Sequence, residues 1–178
     1  CVGEAILNES CSNVHVINET GLPILAMGLH DVVISASAEG ILVSDKHKSS
    51  YIKPYVENID NRPMYEERRW GEYKVYDYSQ YADGTKSLTK HVTIHAGRAQ
   101  DYHMHRYKDE VITVANGEGE LVVDGCLIKL SRGDSISIRR GQKHAIRAFQ
   151  DLQLISVQIS EDNTEGDTEV FDWSWSET

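Results

Sequence analysis

The residues best suited to chemistry lie in two short stretches. The first reads Gly97-x5-His103-x-His105-x4-Glu110-x6-Gly117 and the second Gly133-x5-Arg139-x-Gly141-x2-His144. His103 and His105 stand two residues apart, so on a strand both imidazoles project from one face. Glu110 opens the next apolar run, and Gly117 makes the turn that follows it. If these strands wind around a common interior, His103, His105, Glu110 and His144 converge there. Three neutral imidazoles and one carboxylate suit one borderline divalent transition metal, such as Fe, Mn, Ni, Zn or Cu, with positions left open for substrate. A single buried histidine is more often satisfied by hydrogen bonds than by a metal. The close pair, the carboxylate and the distant His144 at turn-defined spacing together favour metal.

The flanking sequence supplies strands to hold such a site. Thr89-Lys90-His91-Val92-Thr93-Ile94-His95 alternates and ends at Gly97, and Val111 to Val114 runs into Asn116-Gly117-Glu118-Gly119. Leu121-Val122-Val123 meets Asp124-Gly125, a type I′ hairpin signal, and Leu127 to Leu130 returns from it. Ile136 and Ile138, Ala145 to Phe149, and Leu152 to Ile159 continue the series of short strands that marks a barrel or sandwich. Before this section lie shorter β-branched runs: Val14 to Ile17, Ile24 to Leu29, Val32 to Ile34 and Gly40 to Val43. They read as strands of a small sheet or solenoid rung. Tyr51, Ile52, Tyr55, Val56 and Ile59 fall at helical spacing, which predicts a short amphipathic helix whose length Pro54 limits. Asp60-Asn61-Arg62-Pro63 is a turn-rich seam, placing a first segment with its linker helix at 1–60 and a β-domain at 61–178.

Composition narrows the classes of function. The chain has 178 residues, with 18 Lys+Arg against 28 Asp+Glu and a net charge of −10, which argues against a nucleic-acid partner. No apolar run reaches the roughly 20 residues of a membrane span, and no signal peptide is visible at Cys1-Val2-Gly3-Glu4, so no membrane partner is expected. The absence of an initiator Met there suggests a fragment of a longer chain. Three unpaired cysteines, Cys1, Cys11 and Cys126, fit a reducing, cytoplasmic setting. From Ser160 to Thr178 there are acids (Glu161, Asp162, Glu165, Asp167, Glu169, Asp172, Glu177) but no Lys or Arg, the pattern of a solvated tail. Trp173 and Trp175 are out of place in a free tail and suggest that the end docks back on the body.

Both histidine stretches resemble the two motifs of the cupin superfamily. That resemblance implies an all-β double-stranded β-helix barrel whose motif residues His103, His105, Glu110 and His144 hold a metal. Arg139 stands where the second motif usually has Pro, and Ala148 where it often has Asn. Arg68-Arg69-Trp70-Gly71-Glu72-Tyr73-Lys74-Val75 and Leu154-Ile155-Ser156-Val157-Gln158 are similar to the opening and closing strands of type II mannose-6-phosphate isomerase cupins. Asn13 to Ile17, Met27 to Ile34 and Gly40 to Lys46 resemble the segment after the nucleotidyltransferase domain of mannose-1-phosphate guanylyltransferases. In that family the segment is part of a left-handed β-helix. The two likenesses imply the C-terminal part of a guanylyltransferase carrying a fused isomerase-type cupin, within GDP-mannose metabolism. The nucleotidyltransferase activity itself is not expected here, because the glycine-rich stretch Asn116 to Gly119 is acidic and would repel phosphate.

An aldose–ketose isomerase acting on a sugar phosphate needs a proton carrier and cations for the phosphate. Lys108, Arg147 and His95 are the candidate catalytic residues, with His91 alternating beside His95; Arg106, Arg139 and Lys143 are the candidate substrate-binding residues, with Arg140 nearby. Relative to the isomerase pattern, His103 replaces the usual Gln, Lys108 replaces Arg, and Ala145 stands where an Arg follows the second-motif His. Arg147 shares a strand face with Ala145 and could replace that Arg. The alternatives are a sugar- or nucleotide-sensing module without turnover, and a solenoid serving oligomerisation, with a homodimer expected.

Overall fold

Alternating apolar positions become strands almost throughout. The computed structural model describes residues 1–57, 63–161 and 167–175. Two compact units make up the chain, Cys1–Met64 and Tyr65–Thr178. Asp60-Asn61-Arg62 of the sequence seam, and the tail acids Asp162, Glu165 and Glu177, lie outside the described residues.

The first unit contains β1 (Ala5–Leu7), β2 (His15–Asn18), β3 (Ile24–Ala26), β4 (Val32–Ser37) and β5 (Gly40–Asp45). β1 pairs with β3 and β2 with β4 in parallel, the pairing of successive coils in a β-helix, while β5 returns antiparallel along β4. Val16, Ala26 and Ile34 form its small core. Among the described residues the expected linker helix is a 3-10 turn at Ser49–Tyr51 and a four-residue helix, α1 (Lys53–Val56), while Ile59 lies outside them. Pro54 sits in the first turn of α1, no side chain caps its start, and no residue of α1 is buried. Without a covered apolar face, a helix this short has nothing to extend it.

The second unit holds β6 (Tyr65–Arg68), β7 (Gly71–Gln80), β8 (Lys86–Ile94), β9 (Tyr102–His105), β10 (Lys108–Asn116), β11 (Glu118–Val123), β12 (Cys126–Ser131), β13 (Ser135–Ile138), β14 (His144–Ala148), β15 (Leu152–Ser160) and β16 (Thr168–Phe171). They form two sheets, ordered β13-β10-β15-β8-β7-β6 and β12-β11-β14-β9-β16. Ile94, Ile112 and Leu154 from the first sheet pack with Leu121, Leu130 and Ile146 from the second in one core. This is the all-β double-stranded arrangement expected from the sequence. The Asp124-Gly125 hairpin forms as read: both residues have positive φ, 48° and 83°, and Val123 pairs directly with Cys126.

Gly117, between β10 and β11, has φ +90°, and a Cβ there would lie 2.3 Å from the Asp151 carbonyl oxygen. Backbone strain and a clash with main chain therefore coincide. Gly117→Ala is expected to destabilise the second unit by about 3 kcal/mol or more, read by urea denaturation. An unchanged unfolding midpoint would contradict this account of the turn.

Candidate metal centre

β9 points His103 and His105 to one side and Tyr102 and Met104 to the other. His144, the first residue of β14, pairs directly with His103. The three rings meet: centroids lie 4.3 Å apart for His103–His144, 5.1 Å for His103–His105 and 5.6 Å for His105–His144. One potential ligand atom from each lies within 4.8 Å of the others. Glu110 comes from β10 in the other sheet. Its Oε2 lies 3.4 Å from His144 Nε2 and 3.9 Å from His105 Nε2.

Hydrogen bonding behind the rings fixes how they are presented. His103 Nδ1 donates to the Asp101 carbonyl at 2.7 Å, and His144 Nδ1 to the Gln142 carbonyl at 3.1 Å. A carbonyl can only accept, so each Nδ1 carries a proton, and in the neutral ring Nε2 is the nitrogen with the lone pair. His105 Nδ1 lies 3.3 Å from Thr168 Oγ1. His144 Nε2 is fully buried with no hydrogen-bond partner. Glu110 Oε2 stands 3.4 Å from it without forming a hydrogen bond. Glu110 Oε1 accepts from the Ser156 hydroxyl and from Gln158 Nε2, the latter at 3.3 Å.

Burial pushes the His105 imidazole down to about 3 and lowers His103 as well, the latter helped by neighbouring His144. Burial alone would raise the Glu110 carboxyl, but the nearness of His144, Ser156 and His105 outweighs it and holds the group below its ordinary range. The result is that His103 and His105 are neutral beside an anionic carboxylate. An orphaned ring nitrogen facing a carboxylate, with each ring braced from behind, fits a transition-metal ion, whose ligands are held this way by their outer hydrogen bonds. His103, His105 and His144 form a group that could bind one.

Beside this cluster opens a cavity of about 1170 Å³, lined by Trp70, Tyr73, Lys90, Ser156 and Gln158 together with His103, His105 and Glu110. Lys90 is on the same face of β8 as buried Leu88 and Val92, and its Nζ lies 4.4 Å from the Tyr73 ring centre. Ser156 and Gln158 continue the inward row of Leu152 and Leu154 on β15. A lysine or polar residue at an inward-facing position was a readable signal, missed by attending to His91 and His95. Those two belong elsewhere: His91 stacks on exposed Tyr76 at 5.8 Å, and His95, past the end of β8, faces Glu72 at 3.9 Å.

Of the other expected residues, Lys108 shares the face of Glu110 on β10, and its charge acts on His105. Neither Lys108 nor the other expected cations are among the residues that line the cavity, whereas Arg68, Arg69 and Arg98 are. Arg147 is on the opposite face of β14 from His144, paired with Glu120 at 2.8 Å and lying over the Trp175 ring at 4.9 Å. It does share a side with Ala145, but that side is covered by the aromatic residues of the C-terminal segment. Arg106 pairs with Glu169 at 2.6 Å, Arg139 and Arg140 both approach Asp109 at 3.6 Å, and Lys143 lies over the Phe171 ring at 3.8 Å. Their places near the histidines in sequence put them at turns, where the carboxylates of neighbouring strands take them up.

Comparison with known proteins agrees with this fold. Residues 90–157 match the family model described as cupin domain. The chain is 26% identical over 166 residues to the mannose-1-phosphate guanylyltransferase of Escherichia coli strain K12, covering 89% of this chain and 33% of that protein. It is 27% identical over 163 residues to mannose-1-phosphate guanylyltransferase ManC of Salmonella typhimurium, covering 86% of this chain and 32% of that protein. The chain thus spans about one third of the length of the curated relatives it matches. Among solved structures, the capsular polysaccharide assembling protein CapF from Staphylococcus aureus shares the fold, with a TM-score of 0.50 and 15% identity over 66% of this chain and 34% of that one. Among the described residues no helix is long and apolar enough to cross a membrane.

Proposed function

Starting from a cupin domain homologous to the C-terminal part of mannose-1-phosphate guanylyltransferases, we propose that this chain is a metal-dependent, mannose-6-phosphate isomerase-like aldose–ketose isomerase of GDP-mannose metabolism, working in the cytoplasm. One observation carries the reading: three braced imidazoles and an ionised Glu110 opening on a cavity that also presents Lys90.

His103, His105, His144 and Glu110 would hold one divalent ion such as Zn, Mn, Fe or Ni. When bound, such an ion polarises the carbonyl and adjacent hydroxyl of an open-chain sugar and so raises the acidity of the C–H between them. The protein does the rest. Isomerisation moves one proton from C2 to C1 and one from O2 to O1, so it balances without a co-reactant. Lys108, on the Glu110 face beside His105, is the candidate carrier for the carbon-bound proton. Ser156 and Gln158 keep Glu110 oriented, and the apolar core behind them limits water. Lys90 is the candidate partner of the substrate phosphate.

The test is a coupled assay on protein loaded separately with Mn, Fe, Co, Ni or Zn. Turnover of fructose 6-phosphate to mannose 6-phosphate by at least one metal form, and none by the metal-free chain, is expected. No turnover with any of them overturns the isomerase. A second reading, a sugar-sensing module without turnover, is favoured by Arg106, Arg139, Lys143 and Arg147 being engaged away from the cavity. Its mark is calorimetric binding of mannose 6-phosphate without conversion.

A further inference from the structure

His103 and His144 draw their Nδ1 acceptors from carbonyls two residues away in their own loops. His105 does not. The oxygen beside its Nδ1 belongs to Thr168, 63 residues further along the chain, on the last strand. His105 Nε2 is the nitrogen on the Glu110 side, so with a metal ion held there by its lone pair the ring proton resides on Nδ1, which then donates to the Thr168 hydroxyl.

The strand carrying two of the imidazoles also depends on β16 for its ladder. β9 meets β14 at one residue pair, His103 with His144. Against β16 it pairs along its whole length: Tyr102 with Phe171, His103 with Val170, Met104 with Glu169 and His105 with Thr168. Next to Thr168, Asp167 is 6% exposed, and its carboxylate accepts from the Arg106 and Tyr107 amides at 2.9 and 3.1 Å. Those amides form the turn directly after His105. Beyond β16, Trp173 packs on Tyr102 with ring centres 4.9 Å apart, anchoring the segment.

We propose that the C-terminal strand is a positioning element of the metal centre, with Thr168 setting the tautomer and orientation of His105. This rests on the metal reading given above. Thr168 also lines the cavity beside the cluster, but the role proposed here is exerted through His105 and is read without substrate. Outer partners of this kind are worth about 10–100-fold in metal affinity. The coupling is reciprocal: metal on His105 favours the docked strand as much as the docked strand favours metal.

The full-length chain, Thr168→Val and Thr168→Ser are titrated with zinc against a chelating indicator. Thr168→Val, of similar shape but without the hydroxyl, is expected to bind about 10–100-fold more weakly, and Thr168→Ser to return close to the starting affinity. Zinc is also expected to slow carboxypeptidase trimming and to change Trp173 and Trp175 fluorescence in the starting chain, less so in Thr168→Val. A purely structural role for Thr168 would lower the melting temperature of the metal-free chain and leave the serine variant no advantage. Equal zinc affinity in the starting chain and Thr168→Val, or a serine variant as weak as valine, overturns the inference while leaving the metal reading intact. A starting chain that takes up no metal overturns the metal reading, and this inference with it.

Discussion

Replacing His144 by alanine empties the metal centre. Purified starting protein is expected to carry one transition metal per chain by elemental analysis, and His144→Ala essentially none. The expected loss of affinity exceeds about 100-fold, because removing even an outer hydrogen-bond partner costs 10–100-fold and here a ligand itself goes. His144 is the most telling choice of the three rings. It is 2% exposed, its Nε2 has no hydrogen-bond partner, and it is the ring nearest Glu110. Alanine leaves a hole as well, worth about 2–4 kcal/mol of stability by analogy with other large-to-small core changes. Glu110→Gln separates the two effects. It keeps the side-chain volume and the Ser156 and Gln158 contacts but removes the negative charge, so it weakens metal binding without opening a cavity. Stoichiometric metal in His144→Ala would place the ion elsewhere or nowhere in particular.

The second large effect concerns substrate. Lys90→Met is expected to raise KM for the sugar phosphate by about 10–100-fold, with metal content unchanged, since a hydrogen bond to a charged group contributes about 1.5–3 kcal/mol. The register gives the physical reason. Lys90 lies opposite Ser156 on β15, and Ser156 lies opposite Ile112 on β10, the strand of Glu110. Two strand spacings put Lys90 about 10 Å from the Glu110 strand. That matches an open-chain hexose with its carbonyl end at the metal and its phosphate at the far carbon. Arg147→Met serves as the contrasting variant. It should leave KM unchanged and lower stability instead, because Glu120 would keep a half-buried charge without its 2.8 Å partner. Steady-state kinetics with elemental analysis on both variants decides between them. A KM that moves with Arg147 and not with Lys90 would reverse the assignment.

The contrast between Lys90 and Arg147 marks where the sequence stopped being informative. Alternation tells which residues share a face but not which face meets the cavity. On β14 both faces are buried, Ile146 and Ala148 in the core and Ala145 beneath the C-terminal aromatics, so polarity gave no way to choose. On β8 the choice was open to view, because Lys90 alternates with Leu88 and Val92. The histidine pair was legible because two residues two apart on one strand cannot be separated by any later packing. The Asp124-Gly125 turn was legible because few residue pairs tolerate two consecutive positive φ angles. The last strand was hidden by its own composition. Its acids read as solvated, yet Asp167 is spent on two backbone amides and Glu169 on Arg106; only Trp173 and Trp175 hinted at docking.

That late strand also sets a clock on biosynthesis. His105 leaves the ribosome 63 residues before Thr168, its hydroxyl partner. At 5–20 residues per second the wait is roughly 3–13 s, during which β9 has no edge companion along most of its length. The nascent protein therefore carries His105 made but not yet aimed until β16 has followed, so this ring is the last of the three to receive its outer partner.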